Sequence, residues 1–210
     1  MKFNLGCGAK PIKGYINIDA AEGEYANPDM KADLYCDILD LQYEPNTIEV
    51  VRMESVYEHF PRHIAIFLTR RFYTWLQPGG FVTITVPDLM GIIQRIQKYK
   101  TVEDQLFYFR CVFGPQAHPQ YGTHYDGFTI EKLEHTFKAV GFNRFQSKKY
   151  GKWPSIRFTA FKDEPFMPDK QAEENIHKIL RLYARGVRGY HLFDSWIQQW
   201  KELEERKGPE

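Results

Sequence analysis

The chain has 210 residues, 43% hydrophobic and 16% aromatic, enough for one sizeable core with an appendage. A formal net charge of +1 argues against a nucleic-acid partner, and three widely spaced cysteines with no CxxC pair argue against a disulfide framework or a cysteine-held zinc. No apolar run reaches the length of a membrane span and residues 1–20 lack a signal peptide's apolar centre, so a reducing, cytoplasmic setting is expected.

Residues 2–5 and 15–18 read as two short strands separated by a glycine turn, Asn4-Leu5-Gly6-Cys7-Gly8. A strand this close to Met1 is expected of a domain cut from a longer chain. Glycines let backbone approach a ligand, and an acid closing the next strand, here Asp19, accepts hydrogen bonds from ribose hydroxyls. A dinucleotide fingerprint requires a third glycine three residues on and an acid about 20 residues later. Pro11 stands where that glycine belongs, and Asp19 comes too soon. Residues 9–13 leave little room for a helix whose N-terminus would seat a pyrophosphate. A nicotinamide cofactor is therefore disfavoured, and an adenosine ligand without phosphate is expected.

Further along, residues 33–38 read as a third strand and 48–53 as a buried fourth. Pro61 opens a helix with Ile64, Phe67, Leu68, Phe72 and Trp75 on one face. Residues 77–80 read as a turn and 81–86 as a β-branched strand ended by Pro87-Asp88. Residues 91–113 form one predicted helix, and a loop carrying glycines and histidines runs to 127. Thr129 and Gly141 cap a helix over 130–140. Two closing strands, 142–148 and 156–161, lack a crossover helix, so one of the pair must run antiparallel. The lysines at 148, 149 and 152 read as their solvated face. The expectation is an α/β fold: a Rossmann-like, mostly parallel seven-stranded sheet with helices on both faces. This domain spans 1–163. Residues 164–210 form a helical hairpin packed on it, with apolar stripes at Ile176, Ile179, Leu180, Tyr183 and at Leu192, Phe193, Trp196, Ile197, Trp200, Leu203. A homodimer or partner contact through those stripes is the functional alternative.

Five segments in order carry a resemblance: residues 4–8, residues 14–19, residues 33–38, Glu54-Ser55-Val56-Tyr57-Glu58-His59-Phe60, and Leu76-Gln77-Pro78-Gly79-Gly80. Together they resemble class I S-adenosylmethionine-dependent methyltransferases over residues 1–161, in the small, type-11-like form associated with polysaccharide synthesis. The resemblance implies S-adenosylmethionine as cofactor and S-adenosylhomocysteine as product. Gly6, Cys7 and Gly8 would pass under its methionine and ribose, Asp19 would hold the ribose hydroxyls, and Asp37 with the Ile38 backbone would hold the adenine. Glu54 and Ser55 would face the sulfonium.

An acceptor hydroxyl needs a base near the strand ends, and His59, Asp88 and His124 qualify by position, with Asp126 and, less strongly, His118 behind them. Tyr121, Tyr125 and Asp126 are the expected acceptor contacts. Phe128 and Trp153 are aromatic candidates equally suited to packing. Glu58 reads as a helix cap or pairing residue. No HxxxH-like spacing appears, so no metal is assigned, although Asp88, His118, His124 and Asp126 are the residues a metal would draw on. The motif that accompanies base and amide methylation is absent after the fourth strand. A sugar hydroxyl of a glycan or nucleotide-sugar is the expected acceptor. Another small metabolite, or a non-catalytic cofactor-binding scaffold, are the alternatives.

Overall fold

The computed structural model describes residues 1–20, 31–99, 101–117, 122–150, 153–186 and 189–206. Strands β1 (Lys2–Leu5), β2 (Ile16–Asp19), β3 (Leu34–Tyr35), β4 (Ile48–Glu54), β5 (Leu76–Pro87), β6 (Arg144–Tyr150) and β7 (Ser155–Phe161) form one sheet in the order β3-β2-β1-β4-β5-β7-β6. The first five are mutually parallel; β7 runs antiparallel to both β5 and β6. The expected architecture, with its antiparallel closing pair, is the one that forms. The chain leaves β1 toward one edge and crosses to β4 for the other half, so the topological switch point lies between β1 and β4. In open α/β sheets ligands bind outside the carboxyl ends of the strands at that point.

Central strands are buried as continuous runs: Ile48, Val50, Val51 and Met53 in β4, and Val82, Ile84 and Val86 in β5. Edge strand β6 is polar and largely exposed, a composition that discourages pairing with another sheet edge. β5 begins at Leu76 rather than after the predicted turn, because Leu76 pairs with Ile48 across an irregularity in the ladder.

Helix α1 (Arg62–Trp75) follows β4, as expected. The predicted single helix over 91–113 is two, α2 (Leu89–Lys98) and α3 (Val102–Phe113), packed on each other. Thr101 starts the second by accepting from the Asp104 N–H. Helix α4 (Ile130–Val140) begins at the Thr129 cap and ends at Gly141, whose φ of +125° suits glycine.

The C-terminal helices α5 (Asp169–Tyr183) and α6 (Gly189–Glu204) pack on α4 and α1 rather than on the strands. That is why α1 buries more than its sheet-facing stripe. Trp196 stacks on His63 at 5.1 Å, Trp200 lies 5.8 Å from Phe67, and Leu203 joins Ile64 and Phe67 in a separate small core. Trp196, Trp200 and Leu203 of the α6 stripe are thus engaged in packing within the chain, while Leu192 stays exposed. Among the described residues no helix is long and apolar enough to cross a membrane.

Candidate active site

The β1–β2 connection carries no helix, so its backbone polar groups need other partners. Asn17 supplies them. Its side chain accepts from Asn4 Nδ2 (3.0 Å) and from the Ile12 N–H (2.7 Å), and it donates to Tyr15 O and to Asp33 Oδ2 (2.8 Å). Asp33 also accepts from the Asn17 N–H (2.8 Å); these bonds hold its carboxyl below the usual range. The sequence reading missed this Asn4–Asn17–Asp33 network. Its signal was two asparagines at paired positions of neighbouring buried strands.

Within that braced loop, Gly6 and Gly8 have φ of +67° and +52°, a region L side chains enter at a cost. A Cβ on Gly6 would meet Val56 Cγ2 at 2.3 Å, so Gly6 is where the loops after β1 and β4 touch. A Cβ on Gly8 would meet nothing within 4 Å among the described residues. The described residues therefore leave the space over Gly8 open, at the switch point. Cys7, between them, is buried, and burial beside Asp19 pushes its thiol up to about 11, so it is a neutral spacer at physiological pH. Asp19 accepts from the Gly8 N–H through Oδ2 (2.6 Å) and from the Ala20 N–H through Oδ1 (2.8 Å). The acid closing β2 is thereby locked against the glycine turn.

Asp37 caps a single 3-10 turn (Ile38–Asp40), accepting from the Leu39 N–H at 2.9 Å, with Ile38 buried beneath it. At the end of β4, Glu54 is exposed and ion-pairs with Arg52. Ser55 has φ +56°, strained for a residue with a side chain, and its N–H donates to Thr85 O. The chain then turns through Tyr57–His59, another 3-10 turn. Tyr57 is anchored in the core through its hydroxyl to Thr69 (2.7 Å) and Ala65 O, which drags the next residue inward. Glu58 is consequently 1% exposed, and burial raises its carboxyl to about 8. Its Oε2 has no hydrogen-bond partner among the described residues.

The loop after α3 closes over this turn. Tyr125 N–H donates to Glu58 O (2.9 Å), and the two imidazoles meet edge to face at 4.9 Å. His59 Nδ1 lies 3.0 Å from Thr123 O and His124 Nδ1 lies 3.0 Å from Cys111 O. Burial lowers the pKa of both, so both rings are neutral at pH 7. A carbonyl only accepts, so each Nδ1 carries the ring's proton and each Nε2 keeps its lone pair. Glu58, His59 and His124 thus form one cluster, whereas the sequence suggested two independent histidines and a helix cap.

The other expected site residues have different surroundings. Asp88 is buried at the end of β5; its Oδ2 pairs with Lys149 at 3.0 Å, and its Oδ1 has no partner among the described residues. Asp126 is held between α1 and α4 by Lys132 (2.6 Å) and Arg62 (3.7 Å). Phe128 is 4% exposed and packs on Tyr57 at 5.5 Å, which corrects its candidacy as a stacking platform. Trp153 lies 4.1 Å from Phe107 and stays half exposed, as does Tyr125. Tyr121, His118 and Lys152 lie outside the described residues.

No family model and no curated protein matches the chain. Several solved structures do share its fold. An S-adenosylmethionine-dependent methyltransferase from Mesorhizobium loti aligns with TM-score 0.51 at 13% identity, over 76% of this chain and 89% of that one. A Thermotoga maritima methyltransferase, described as a possible histamine N-methyltransferase, aligns with TM-score 0.50 at 17% identity, over 77% and 82%. A Bordetella parapertussis protein described as a possible exported protein aligns with TM-score 0.51 at 12% identity, and this chain spans 61% of it. At such identities the likeness speaks for the fold alone: a Rossmann-like sheet shared with S-adenosylmethionine-dependent methyltransferases.

Proposed function

We propose that the chain is an S-adenosylmethionine-dependent methyltransferase that O-methylates a sugar hydroxyl of a glycan or nucleotide-sugar in a reducing, cytoplasmic compartment. The observation that carries the cofactor assignment is the space that the described residues leave open over Gly8 at the switch point, with Asp19 fastened beside it. Gly8 gives the nucleoside room that a side chain would take. Asp19 keeps further lone pairs for ribose hydroxyls, because a carboxylate accepts about four hydrogen bonds and two are described here. Asp37 and Ile38 flank the adenine end, and Glu54 and Ser55 the methionine end. Three free cysteines, two of them buried, support the reducing setting.

Transfer is an in-line displacement. The acceptor oxygen attacks the methyl carbon, the C–O bond forms as the C–S bond breaks, and the sulfur leaves as a neutral thioether. Holding the partners aligned is worth ~7–11 kcal/mol. The hydroxyl proton must also go, and a positioned acceptor for it contributes ~10²–10⁴-fold. The Glu58–His59–His124 cluster begins two residues beyond Val56, the residue that touches Gly6. It is the described polar group best set to activate an acceptor beside the methyl group. Asp88 is a second, weaker candidate, because Lys149 already neutralises it. Tyr125 and Asp126 follow His124 on the same loop and are the proposed acceptor contacts, with Tyr121.

Incubation with methyl-labelled S-adenosylmethionine and a panel of sugars, nucleotide-sugars, small acids and amines tests the reading. Label in the sugars supports it. Label confined to an acid or amine overturns the sugar assignment, and cofactor binding without turnover on the whole panel favours a scaffold.

A further inference from the structure

We propose that Glu58, His59 and His124 form a binding site for one divalent transition-metal cation. One ligand atom from each lies within 4.8 Å of the other two. Three observations make this a built site rather than a chance grouping. Glu58 Oε2 is buried and without a hydrogen-bond partner among the described residues, a costly arrangement that a cation would relieve. Both imidazoles donate Nδ1–H to backbone carbonyls, His59 to Thr123 O and His124 to Cys111 O. That is the outer bonding which fixes a metal-ligating histidine and leaves its Nε2 lone pair for the ion. The backbone bond from Tyr125 N–H to Glu58 O ties the loop bearing His124 to the turn bearing the other two, so the cluster is braced from both sides.

Two imidazoles and one carboxylate suit zinc, cobalt, manganese or iron better than magnesium, which demands oxygen ligands. Three protein ligands leave an open coordination position, the pattern of a catalytic rather than a structural ion. If the methyltransferase reading holds, the acceptor hydroxyl takes that position. Coordination lowers its pKa, its proton passes to solvent, and the oxygen then attacks the methyl carbon as the C–S bond breaks. In that state His59 and His124 hold the ion and do not serve as bases. This proposal departs from the sequence expectation of no metal and draws on other residues than Asp88 and Asp126, which are engaged by Lys149 and by Lys132 and Arg62.

The full chain is stripped with chelator and titrated with Zn²⁺, Co²⁺ and Mg²⁺ by calorimetry, with the d–d absorption of Co²⁺ followed in parallel. The expected result is one Zn²⁺ or Co²⁺ per chain and much weaker Mg²⁺ binding. Glu58→Gln and His124→Ala should each weaken Zn²⁺ by at least about tenfold, while His135→Ala, on the exposed face of α4, should not. Imidazole ¹⁵N spectra of the unmutated chain avoid any folding defect, and Zn²⁺ should move the Nε2 resonances of two histidines. No stoichiometric binding, unmoved Nε2 resonances, or binding that survives both substitutions overturns the site. S-adenosylhomocysteine is titrated separately into the same chelated protein. Cofactor binding without metal binding sinks only the cation site, and metal binding without cofactor binding sinks only the methyltransferase reading.

Discussion

Gly6 and Gly8 are two residues apart in one turn, both with positive φ, yet they should respond differently to the same added methyl group. At Gly6 an alanine incurs the left-handed backbone penalty of about 1–2 kcal/mol. Its Cβ would also stand 2.3 Å from Val56 Cγ2, a contact that forces the β4 loop to shift and adds about 1–3 kcal/mol of overpacking. The sum, about 2–5 kcal/mol, is a large share of the roughly 5–15 kcal/mol that holds a domain folded. At Gly8 no atom of the described residues lies within 4 Å of the new Cβ, so only the backbone penalty of about 1–2 kcal/mol is expected. Urea unfolding followed by tryptophan fluorescence measures both. A double-mutant cycle of Gly6→Ala with Val56→Ala should return a coupling of about 1–3 kcal/mol, because removing the valine methyls relieves the clash. Binding should rank the two positions the other way. Gly8→Val should fold and yet lose S-adenosylhomocysteine affinity by at least about tenfold, or 1.4 kcal/mol. Equal destabilisation by Gly6→Ala and Gly8→Ala would refute the loop contact, and a Gly8→Val protein that binds normally would place the nucleoside elsewhere.

Three further outcomes are expected. Asp19→Ala strands the Gly8 and Ala20 N–H groups and should cost about 1.5–3 kcal/mol of stability, together with at least about tenfold in S-adenosylhomocysteine affinity by calorimetry. Asn17→Ala should lower the urea midpoint by the equivalent of at least about 2 kcal/mol, since it unpairs several groups in a loop that has no helix to hold them. His63 is buried against Trp196 and bonded to Gln199, and burial lowers its pKa below 6.5. The unfolded chain therefore takes up a proton near pH 6.5 that the folded chain refuses, so stability is full above that value and falls as pH drops toward the folded pKa. His59 and His124 shift in the same direction. His63→Phe keeps a ring on Trp196 while removing one titration, so it should flatten part of the acid slope in urea midpoints; an unchanged slope would deny burial as the cause.

Where local signals agree, the sequence was a good guide to structure. Thr129 and Gly141 bound α4 as expected, and Pro61 precedes α1. Where it failed, a competing local signal was usually present. The helix over 91–113 breaks because Thr101-Val102-Glu103-Asp104 carries a capping arrangement, visible in the chain but outweighed by apolar periodicity. The predicted turn at residues 77–80 survives as an irregularity inside β5: Leu76 pairs with Ile48 and Phe81 with Val50, the residues between them have no partner in β4, and Gly79 takes a φ of +78°. The candidate site divides in the same way. The glycine turn and Asp19 come together through neighbouring strands, a pairing readable from a short stretch of chain.

Length, apolar periodicity, caps and the spacing of glycine and acid determined the fold class, most of the element order and the meeting of the glycine turn with Asp19, because each acts over a few residues or between adjacent parallel strands. Tertiary structure alone decided the fate of the titratable groups. Lys149 reaches Asp88 from the far edge of the sheet, Lys132 and Arg62 claim Asp126 from two helices, and the loop after α3 brings His124 onto His59 beside a carboxylate that Tyr57 has drawn into the core. Charge, burial and hydrogen bonding depend on distance in space, and the spacing of residues along the chain carries no record of those contacts.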